Sequence, residues 1–395
     1  MLDTLAPKPA DALLALIKLH AADPRTDKID LGVGVYRTGQ GGTPVFGAIK
    51  AAEARLLATQ DSKAYLGPDG DMEFVHALIP WIFGDAADTS RLAGMQTPGG
   101  TGGVRLAVAL AKAAGARRVL MGVPSWPNHA QIIADVGLEA VSYSHVTALG
   151  GADLDAILGA LGQAGRGDAV LLHGCCHNPT GVDYSLEQWA EISRVIAERH
   201  VLPIVDLAYQ GLGEGLAEDA AGLREVLAAV PEALVAYSCD KNFGLYRDRV
   251  GAFYIHAAEG GQLAAALSHS HALARANWSM PPDHGAAAVR LVLADESLTS
   301  QWLDELETMR TRMRQVRRRL AVAGTVGGID LAPLEKQNGL FSVLPLSPER
   351  IKALRERHGI YMAGSGRINV AGLTAGNIDS FIAALADTGA DTGGA

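Results

Sequence analysis

A lysine follows an apolar, strand-like run in the segment YSCDKNFGLYRDR (237–249), together with a serine and an arginine. Lys241 is of chemical interest because a lysine desolvated beside another cation has a lowered pKa and can attack a carbonyl carbon. Ser238 and Arg249 could then hold a phosphate group carried by the same aldehyde. A lysine at a strand end is otherwise usually a solvated surface charge, so this segment alone leaves both explanations open.

An aspartate, Asp206, lies near the end of the strongly apolar run PIVDLAY (203–209), where an unpaired carboxylate is costly. It therefore needs a partner. A helix cap or a buried ion pair would satisfy it, and so would the protonated ring nitrogen of a pyridine cofactor, which makes the ring an electron sink. Tyr209, three residues further on, could donate its phenol to an oxygen on the same ring.

A glycine-rich stretch, TPGGTGG (97–103), runs directly into the helical pattern VRLAVALAKAAG (104–115). Backbone N–H groups and the positive end of the helix dipole at such a junction can bind a phosphate. Simple chain reversal explains a glycine-rich turn at least as well, and the spacing matches neither the P-loop nor the dinucleotide fingerprint. The stretch is a weak phosphate-site candidate by itself.

Two further segments carry polar or aromatic residues after predicted strands. Asn178 in HGCCHNPTG (173–181) could bind a ligand, although Asn-Pro is a common turn signal. Trp126 in PSWPNH (124–129) offers a flat face for an aromatic ring, although a buried tryptophan more often belongs to the core. Neither residue decides the function alone.

Short apolar runs alternate with helical patterns through the middle of the chain, and they are the elements that must position these residues. The runs are VLMGV (119–123), AVLLHG (169–174), PIVDLAY (203–209), ALVAYS (233–238) and GAFYIHA (251–257). The alternation predicts an α/β fold with a largely parallel sheet covered by helices. The candidate residues recur just beyond the C-terminal ends of these runs, where open α/β sheets bind ligands.

The pattern changes near residue 300, which predicts a second domain. A long charged helix, QWLDELETMRTRMRQVRRRLAVAG (301–324), has apolar residues at helical spacing and fits an arm that joins two domains. Strand-like GLFSVLP and RINVAG around a helix at 348–358 predict a smaller α+β domain. The expected division is a large domain at 45–308 and a small one at 1–44 and 309–395, with the C-terminal DTGADTGGA (387–395) frayed.

Composition limits the classes of partner. A formal charge of -9 without a Lys/Arg-rich run argues against nucleic-acid or anionic-membrane surfaces, which require concentrated positive charge. No run approaches the length of a membrane span, and the first residues do not resemble a signal peptide. The three cysteines include the adjacent Cys175 and Cys176, which do not suit an intrachain disulfide framework. We therefore expect a cytoplasmic protein whose partners are small molecules and other subunits.

Taken together, the motifs GGTG, PSWPNH, HGCCHNPTG, DLAYQG, SxxKNFGLYxxR, PPxHGA and SGRINVAG resemble in order and spacing the class I aminotransferases of fold-type I. The chain is most similar in these motifs to bacterial aspartate and aromatic amino acid aminotransferases, from KIDLGVGVYR onward. The resemblance implies a large domain with a mostly parallel, seven-stranded sheet that binds pyridoxal 5'-phosphate (PLP), plus a smaller α+β domain. It implies no metal.

The resemblance also implies a role for each candidate residue around the cofactor. Lys241 would hold PLP as a Schiff base and shuttle a proton, and Asp206 would pair with the pyridine nitrogen. The remaining implied cofactor contacts are Tyr209 and Asn178 at the ring oxygen, Trp126 stacked on the ring, His129 supporting Asp206, and Gly100, Thr101, Ser238 and Arg249 at the phosphate.

Substrate binding and assembly are implied in the same way. Arg367 would bind the α-carboxylate, with Gly34, Trp126 and Asn178 also close to the substrate. Tyr65 would reach the phosphate from a second subunit. Arg275 would read the distal carboxylate of aspartate, glutamate or 2-oxoglutarate from that neighbouring subunit, so the expected functional unit is a homodimer with shared active sites.

Three departures from the pattern bear on specificity. Met280 in SMPP and Ala64 before Tyr65 stand where aspartate-specific members carry asparagine, and Asp240 stands where serine usually precedes the lysine. The first two changes leave apolar space for an aromatic side chain. The expected activity is a ping-pong exchange of the amino group between aromatic amino acids, with aspartate and glutamate, and 2-oxoglutarate. A strict aspartate aminotransferase, a PLP lyase or decarboxylase, and an inactive relative that only binds remain alternatives.

Overall fold

The computed structural model describes residues 2–7 and 12–390, which divide into two compact units. The larger unit comprises Pro44–Thr311 with Gln337–Gly339. The smaller unit comprises the described parts of Met1–Thr43, Arg312–Lys336 and Leu340–Ala395. Within the described ranges, no helix is both long and apolar enough to cross a membrane.

A seven-stranded sheet forms the centre of the larger unit. Its strands are β2 (Leu92–Pro98), β3 (Arg118–Val123), β4 (Glu139–Ser144), β5 (Asp168–His173), β6 (Leu202–Leu207), β7 (Ala233–Ser238) and β8 (Val250–His256). Their spatial order is β2-β8-β7-β6-β5-β3-β4. Strands β3 to β7 run parallel, while β8 is antiparallel to both of its neighbours. The predicted α/β fold with a mostly parallel sheet of seven strands is confirmed.

Helices make up most of the rest of the larger unit, and several of them pack on the sheet. They are α2 (Gly47–Thr59), α3 (Met72–Phe83), α4 (Gly99–Ala113), α5 (Pro127–Val136), α6 (Leu154–Gly162), α7 (Leu186–Arg199), α8 (Leu216–Asp219), α9 (Ala221–Ala229), α10 (Gly260–Asn277), α11 (His284–Ala294) and the first part of α12 (Glu296–Val322). Residues from α4, α5 and α10 share one buried apolar cluster with the central strands. Every residue of β7 and β8 is buried, as expected for strands with both faces covered.

The two edge strands were not predicted, and each has a physical reason. β4 is mostly exposed, so EAVSYS presents no apolar run. β2 carries a fully buried glutamine, Gln96, whose Oε1 accepts from Asp71 N at 2.8 Å and whose Nε2 donates to Pro282 O at 2.6 Å. These two bonds satisfy the buried amide of Gln96. A polar residue at this position interrupts the apolar run that would otherwise have predicted a strand.

Several predicted boundaries differ from the structure, three of them near candidate residues or the C-terminus. Helix α4 begins at Gly99, inside the glycine-rich stretch, and not after Gly103. Strand β6 ends at Leu207, so Tyr209 lies beyond the strand and just before the following turn. The predicted fraying from residue 387 is wrong as far as Ala390, because α14 (Ile378–Ala390) continues to that residue. Residues 391–395 lie outside the described residues.

The smaller unit has its own core and short strands. Its helices are α1 (Ala12–Ala22), the last part of α12, α13 (Pro348–His358) and α14, and its strands pair as β1 (Ile29–Asp30) with β12 (Ile360–Tyr361), β9 (Thr325–Val326) with β10 (Ile329–Asp330), and β11 (Phe341–Val343) with β13 (Arg367–Asn369). Ser347 caps α13 by accepting from Arg350 N, and Gly359 ends it in the left-handed conformation, so both ends follow common sequence signals. This unit has the expected α+β character.

Candidate active site

Four neighbouring strands deliver most of the candidate residues to one edge of the sheet. In the order β7-β6-β5-β3, the carboxyl ends of these parallel strands are followed by or contain Lys241, Asp206, Asn178 and Trp126. Asp206 and His173 are direct partners across β6 and β5. Because parallel strands end at the same edge, residues that are distant in sequence meet there.

Lys241 lies against Tyr209 and within the field of two carboxylates. Its Nζ is 5.0 Å from the centre of the Tyr209 ring. Burial lowers the pKa of Lys241 from its ordinary value, and the nearby Asp240 and Asp206 act in the opposite direction. A larger fraction of the amine is therefore neutral, and thus nucleophilic, than for a solvated lysine. The structure does not support the surface-charge explanation for this side chain.

Asn178 completes the group around the tyrosine. Its Nδ2 donates to Tyr209 Oη at 3.4 Å. The other amide atom, Asn178 Oδ1, is buried and has no hydrogen-bond partner among the described residues. A buried acceptor without a donor is unusual in a folded protein and indicates a place where a ligand can bond.

Asp206 is held by a histidine. The fully buried His129 approaches Asp206 Oδ2 with its Nε2 at 2.8 Å. Because an ionised carboxylate only accepts, His129 Nε2 carries the proton and donates. Trp126 packs edge-on against His129, with ring centres 5.1 Å apart and planes at 87°. Asp206 therefore presents its carboxylate from a fixed position.

A serine extends this arrangement to the next strand. Ser125 Oγ lies 3.0 Å from His129 Nδ1 and 3.1 Å from His173 Nε2. With a neutral His129, His173 Nε2–H donates to Ser125 Oγ and the serine hydroxyl donates to His129 Nδ1. With a protonated His129 the direction of both bonds reverses. In either case the hydroxyl links the two rings and fixes the orientation of the ring that touches Asp206.

Two more histidines continue the cluster away from Asp206. The rings of His177 and His145 stack at 3.6 Å, and His177 lies 4.1 Å from His173. Burial lowers the pKa of His173 and His177 well below the ordinary value and that of His145 to about 4. These rings are therefore neutral at neutral pH, and they add no positive charge behind Asp206.

The glycine-rich start of α4 lies against Ser238 and Arg249, the residues on either side of Lys241 in the sequence. A Cβ added to Gly100 would lie 2.9 Å from Ser238 Cβ, and one added to Gly99, whose φ is +70°, would lie 2.6 Å from Arg249 Nη2. Thr101 occupies the same first turn of α4. Ser238 and Arg249 thus lie close against the first turn of α4, where a side chain at position 99 or 100 would collide with them and where the first N–H groups of a helix lack partners within it.

Gly34 and Arg367 belong to the smaller unit, where both contact Phe341. Arg367 Cζ lies 4.4 Å from the Phe341 ring centre, and Arg367 Nη2 donates to Gly32 O at 2.9 Å. A Cβ added to Gly34 would lie 2.8 Å from Phe341 Cζ. The aromatic ring and the Gly32 carbonyl therefore hold the guanidinium beside the Gly34 backbone.

Tyr65 and Arg275 lie at the surface of the chain. Tyr65 is 94% exposed, and Leu66 N, next to it, donates to Met280 Sδ at 3.2 Å. Arg275 is exposed in the last turn of α10 and bonds to Ser279 Oγ. A tyrosine this exposed is uncommon, and its ring is available to another molecule.

Sequence reasoning missed Ser125 and His173. Both stood inside motifs that were singled out, PSWPNH and HGCCHNPTG, and both sit at the ends of strands that the pattern predicts. The signal was present as polar residues at two predicted strand ends. What the sequence lacked was the adjacency of β3 and β5, which brings the two side chains together.

Comparison with known proteins identifies the family. The profile of the class I and II aminotransferases matches residues 26–385. The chain belongs to this aminotransferase family. A tyrosine aminotransferase of Rhizobium meliloti is 51% identical, with 94% of this chain and 96% of the relative covered. An aspartate aminotransferase of Escherichia coli is 43% identical, with 96% and 97% covered.

Solved structures of other aminotransferases share the fold. An aromatic amino acid aminotransferase with 3-indolebutyric acid superposes with a TM-score of 0.93 at 42% identity, covering 98% of this chain and 100% of that one. An aromatic-amino-acid aminotransferase from Burkholderia pseudomallei, covalently bound to pyridoxal phosphate, gives 0.94 at 35% identity, covering 98% and 99%. The aminotransferase is accordingly a PLP-dependent transaminase.

The residues at the sheet edge fit PLP. The cofactor has a phosphate, a ring oxygen, an aldehyde and a pyridine nitrogen. Ser238 and Arg249 beside the N-terminus of α4 suit the phosphate, and the buried Asn178 Oδ1, an acceptor without a partner among the described residues, suits a hydroxyl at the ring oxygen. Lys241 supplies an amine with a lowered pKa, and Asp206 supplies a carboxylate that His129 holds in place. The aminotransferase thus offers a suitable group for each part of the cofactor.

Proposed function

We propose that this aminotransferase transfers the amino group between aromatic amino acids, with aspartate and glutamate as further donors, and 2-oxoglutarate. The relatives named above act on tyrosine, on aromatic amino acids or on aspartate by their names. Met280 and Ala64, which offer apolar surface beside Tyr65, favour the aromatic substrates. A strict aspartate aminotransferase is the second candidate, because one relative of that name is 43% identical.

One observation carries the proposal. Lys241, with a lowered pKa, lies against Tyr209 while Asp206 is held by His129, so an amine and a fixed carboxylate sit at one edge of the sheet. Bound PLP supplies an electron sink that stabilises negative charge at the substrate Cα. Side chains of the protein would carry out the proton transfers and bind the substrate.

We assign the proton movements to Lys241 and Asp206. Asp206 keeps a proton on the ring nitrogen, because its carboxylate is buried and oriented by His129 Nε2–H. Lys241, whose pKa burial lowers, would remove the proton from the substrate Cα and deliver it to the C4' carbon of the cofactor. Tyr209 and Asn178 orient the ring oxygen, and Trp126 covers one ring face.

We assign substrate recognition to the two arginines. Arg367 would bind the α-carboxylate in a planar, two-point fashion, with Gly34 leaving room for the substrate beside it. Arg275 would bind the distal carboxylate of dicarboxylic substrates from a second subunit. Gly100, Thr101, Ser238 and Arg249 would hold the phosphate, joined by Tyr65 from that subunit.

The roles assigned to Tyr65 and Arg275 require a second subunit. We propose a homodimer with active sites shared across its interface, supported by the 94% exposure of Tyr65 and the outward position of Arg275. We further propose that the larger unit is the cofactor-binding domain, that the smaller unit is the domain carrying Arg367, and that the enzyme is cytoplasmic.

The half-reaction of the PLP-loaded protein tests the function. Phenylalanine and aspartate are added separately, and the loss of cofactor absorbance in the visible range is followed. We expect phenylalanine to react at least as fast as aspartate, and Lys241→Ala to abolish both reactions. Lys352→Ala, at an exposed lysine of α13, is the matched control and should react normally. Reaction with aspartate alone would favour the second candidate, and full activity of Lys241→Ala would refute the mechanism.

A further inference from the structure

Asp240 is a buried carboxylate with one unsatisfied oxygen. The residue is only 3% exposed, and its Oδ2 accepts from Arg249 Nη1. Its backbone N–H donates to Ser238 Oγ at 3.2 Å. The second oxygen, Oδ1, is buried and has no hydrogen-bond partner among the described residues. Because an unsatisfied buried carboxylate oxygen is costly, this position needs an explanation beyond packing.

The ion pair of Asp240 and Arg249 lies over the glycine-rich start of α4. A Cβ added to Gly99 would be 2.6 Å from Arg249 Nη2 and 3.2 Å from Asp240 Oδ2. Ser238 lies against Gly100 of the same turn. The carboxylate of Asp240 is thus bonded to the guanidinium that lies against the helix N-terminus proposed to bind the phosphate.

We propose that Asp240 is an internal counter-ion that occupies Arg249 in the cofactor-free protein and competes with the phosphate of the cofactor. The inference rests on the proposed assignment of Arg249 to that phosphate. A carboxylate and a phosphate dianion at one guanidinium repel each other, and burial of the Asp240 carboxylate limits the screening of that repulsion by solvent. On phosphate binding, Asp240 takes up a proton from solvent, and the new O–H can donate to a phosphate oxygen.

The surroundings of Asp240 favour this proton uptake. Burial raises the pKa of Asp240, whereas Lys241 and Arg249 act in the opposite direction. The thiol of Cys239, the preceding residue, stays neutral because burial raises its pKa well above the ordinary value. The carboxylate of Asp206 also lies near Lys241 and raises the pKa of that lysine. Arrival of a dianion adds a repulsion that raises the pKa of Asp240 further.

Binding of sulfate to the cofactor-free protein tests the competition. Sulfate is a tetrahedral dianion that gains no proton near neutral pH, and pyridoxamine phosphate serves as a second probe. Asp240→Asn keeps the shape and removes the charge. We expect sulfate to bind this variant about tenfold more tightly than the wild type at pH 8. The difference should shrink toward pH 6, because the wild-type carboxyl then takes up its proton more readily, whereas Lys241 titrates in both proteins.

A matched variant and a double variant define the outcome. Asp248→Asn removes the same charge next to Arg249 in sequence, but within the described residues Arg249 bonds to Asp240 and not to Asp248, so the sulfate affinity should change by less than about twofold. In an Arg249→Gln background, Asp240→Asn should have a smaller effect, because the competition for the guanidinium is gone and only the direct repulsion of sulfate by the carboxylate remains. Thermal melting confirms that each variant is folded.

Three results would overturn the inference. Equal sulfate affinities of wild type and Asp240→Asn would show that the carboxylate does not compete. Weaker binding by Asp240→Asn would show that Asp240 instead positions Arg249 for the phosphate. Undiminished sulfate binding by Arg249→Gln would refute the phosphate assignment itself, which separates that failure from the failure of the Asp240 inference.

Discussion

Asp206 depends on a hydrogen bond from helix α5 that is supported in turn by the loop before α5 and by the end of β5. His129 touches the carboxylate at 2.8 Å, and Ser125 joins His129 to His173. A histidine can orient a carboxylate only if its own ring is held, and the serine hydroxyl is the group that holds it. Ser125 therefore influences how Asp206 acts on the ring nitrogen, although in this proposal Ser125 contacts neither the cofactor nor the substrate.

Ser125→Ala tests this dependence. Without the hydroxyl, His129 Nδ1 and His173 Nε2 lose their shared partner in a buried site, so the bond to Asp206 weakens. We expect kcat/KM to fall about tenfold, or about 1.4 kcal/mol, with a changed pH profile. The measurement is the rate of the half-reaction as a function of pH.

Two variants control this experiment. Ser125→Thr retains a hydroxyl and should recover most of the rate. Ser144→Ala removes a hydroxyl that bonds, within the described residues, to the nearby Val146 O at 2.7 Å, and it should have little effect. If Ser125→Ala keeps the full rate and the wild-type pH profile, the serine does not act through His129.

At the scale of elements, the turn after β6 is held by a carboxylate from α8. Asp219 is buried, and its oxygens accept from the backbone N–H groups of Gly211, Gly213 and Glu214 at 2.8, 2.9 and 2.8 Å. This turn follows Tyr209 directly. The carboxylate thus fixes the path of the chain just beyond a residue of the candidate site.

Asp219→Asn should destabilise the protein. The amide has one acceptor atom, so its NH2 group would face at least one backbone N–H donor. We expect the free energy of unfolding to fall by about 2 kcal/mol, measured by denaturant titration. Asp153→Asn is the matched control, because Asp153 Oδ1 caps α6 by accepting from Ala156 N and asparagine caps helices equally well. Equal losses in the two variants would contradict this account of the turn.

At the scale of the whole molecule, the proposed active site needs two chains. Tyr65 and Arg275 face outward from their own chain, although the proposal gives both a role at the cofactor or substrate. A two-fold dimer is the commonest arrangement that lets each chain complete its partner's site. Activity should therefore depend on residues supplied by different chains.

Hybrid dimers test this arrangement. Lys241→Ala chains are inactive, and Arg275→Ala chains should react poorly with dicarboxylic substrates. In a hybrid dimer, one site combines an intact Lys241 with the intact Arg275 of the other chain. Refolding an equal mixture should restore about a quarter of the wild-type activity with aspartate and 2-oxoglutarate, since half of the dimers are hybrids with one intact site each. Activity no higher than the mean of the two parents would refute shared sites.

The sequence by itself predicted the five inner strands of the sheet, the order of polar residues after them and Lys241 as one candidate to attack a carbonyl, with a surface charge as the other explanation. Buried parallel strands need continuous apolar runs, and the loops at their carboxyl ends can carry polar residues. Both features can therefore be predicted from the sequence. The two edge strands could not be predicted in this way, because β4 is mostly exposed and β2 contains the buried, hydrogen-bonded Gln96.

Only the tertiary structure decided which polar groups meet. Asp206 and His129 are 77 residues apart, and Ser125 and His173 are 48 apart, so their bonds depend on the spatial order of β6, β5 and β3. The pairing of Asp240 with Arg249 likewise depends on side-chain direction, which sequence spacing does not specify. Hydrogen bonds and ion pairs act over a few ångströms in space, and the packing of the sheet sets those distances.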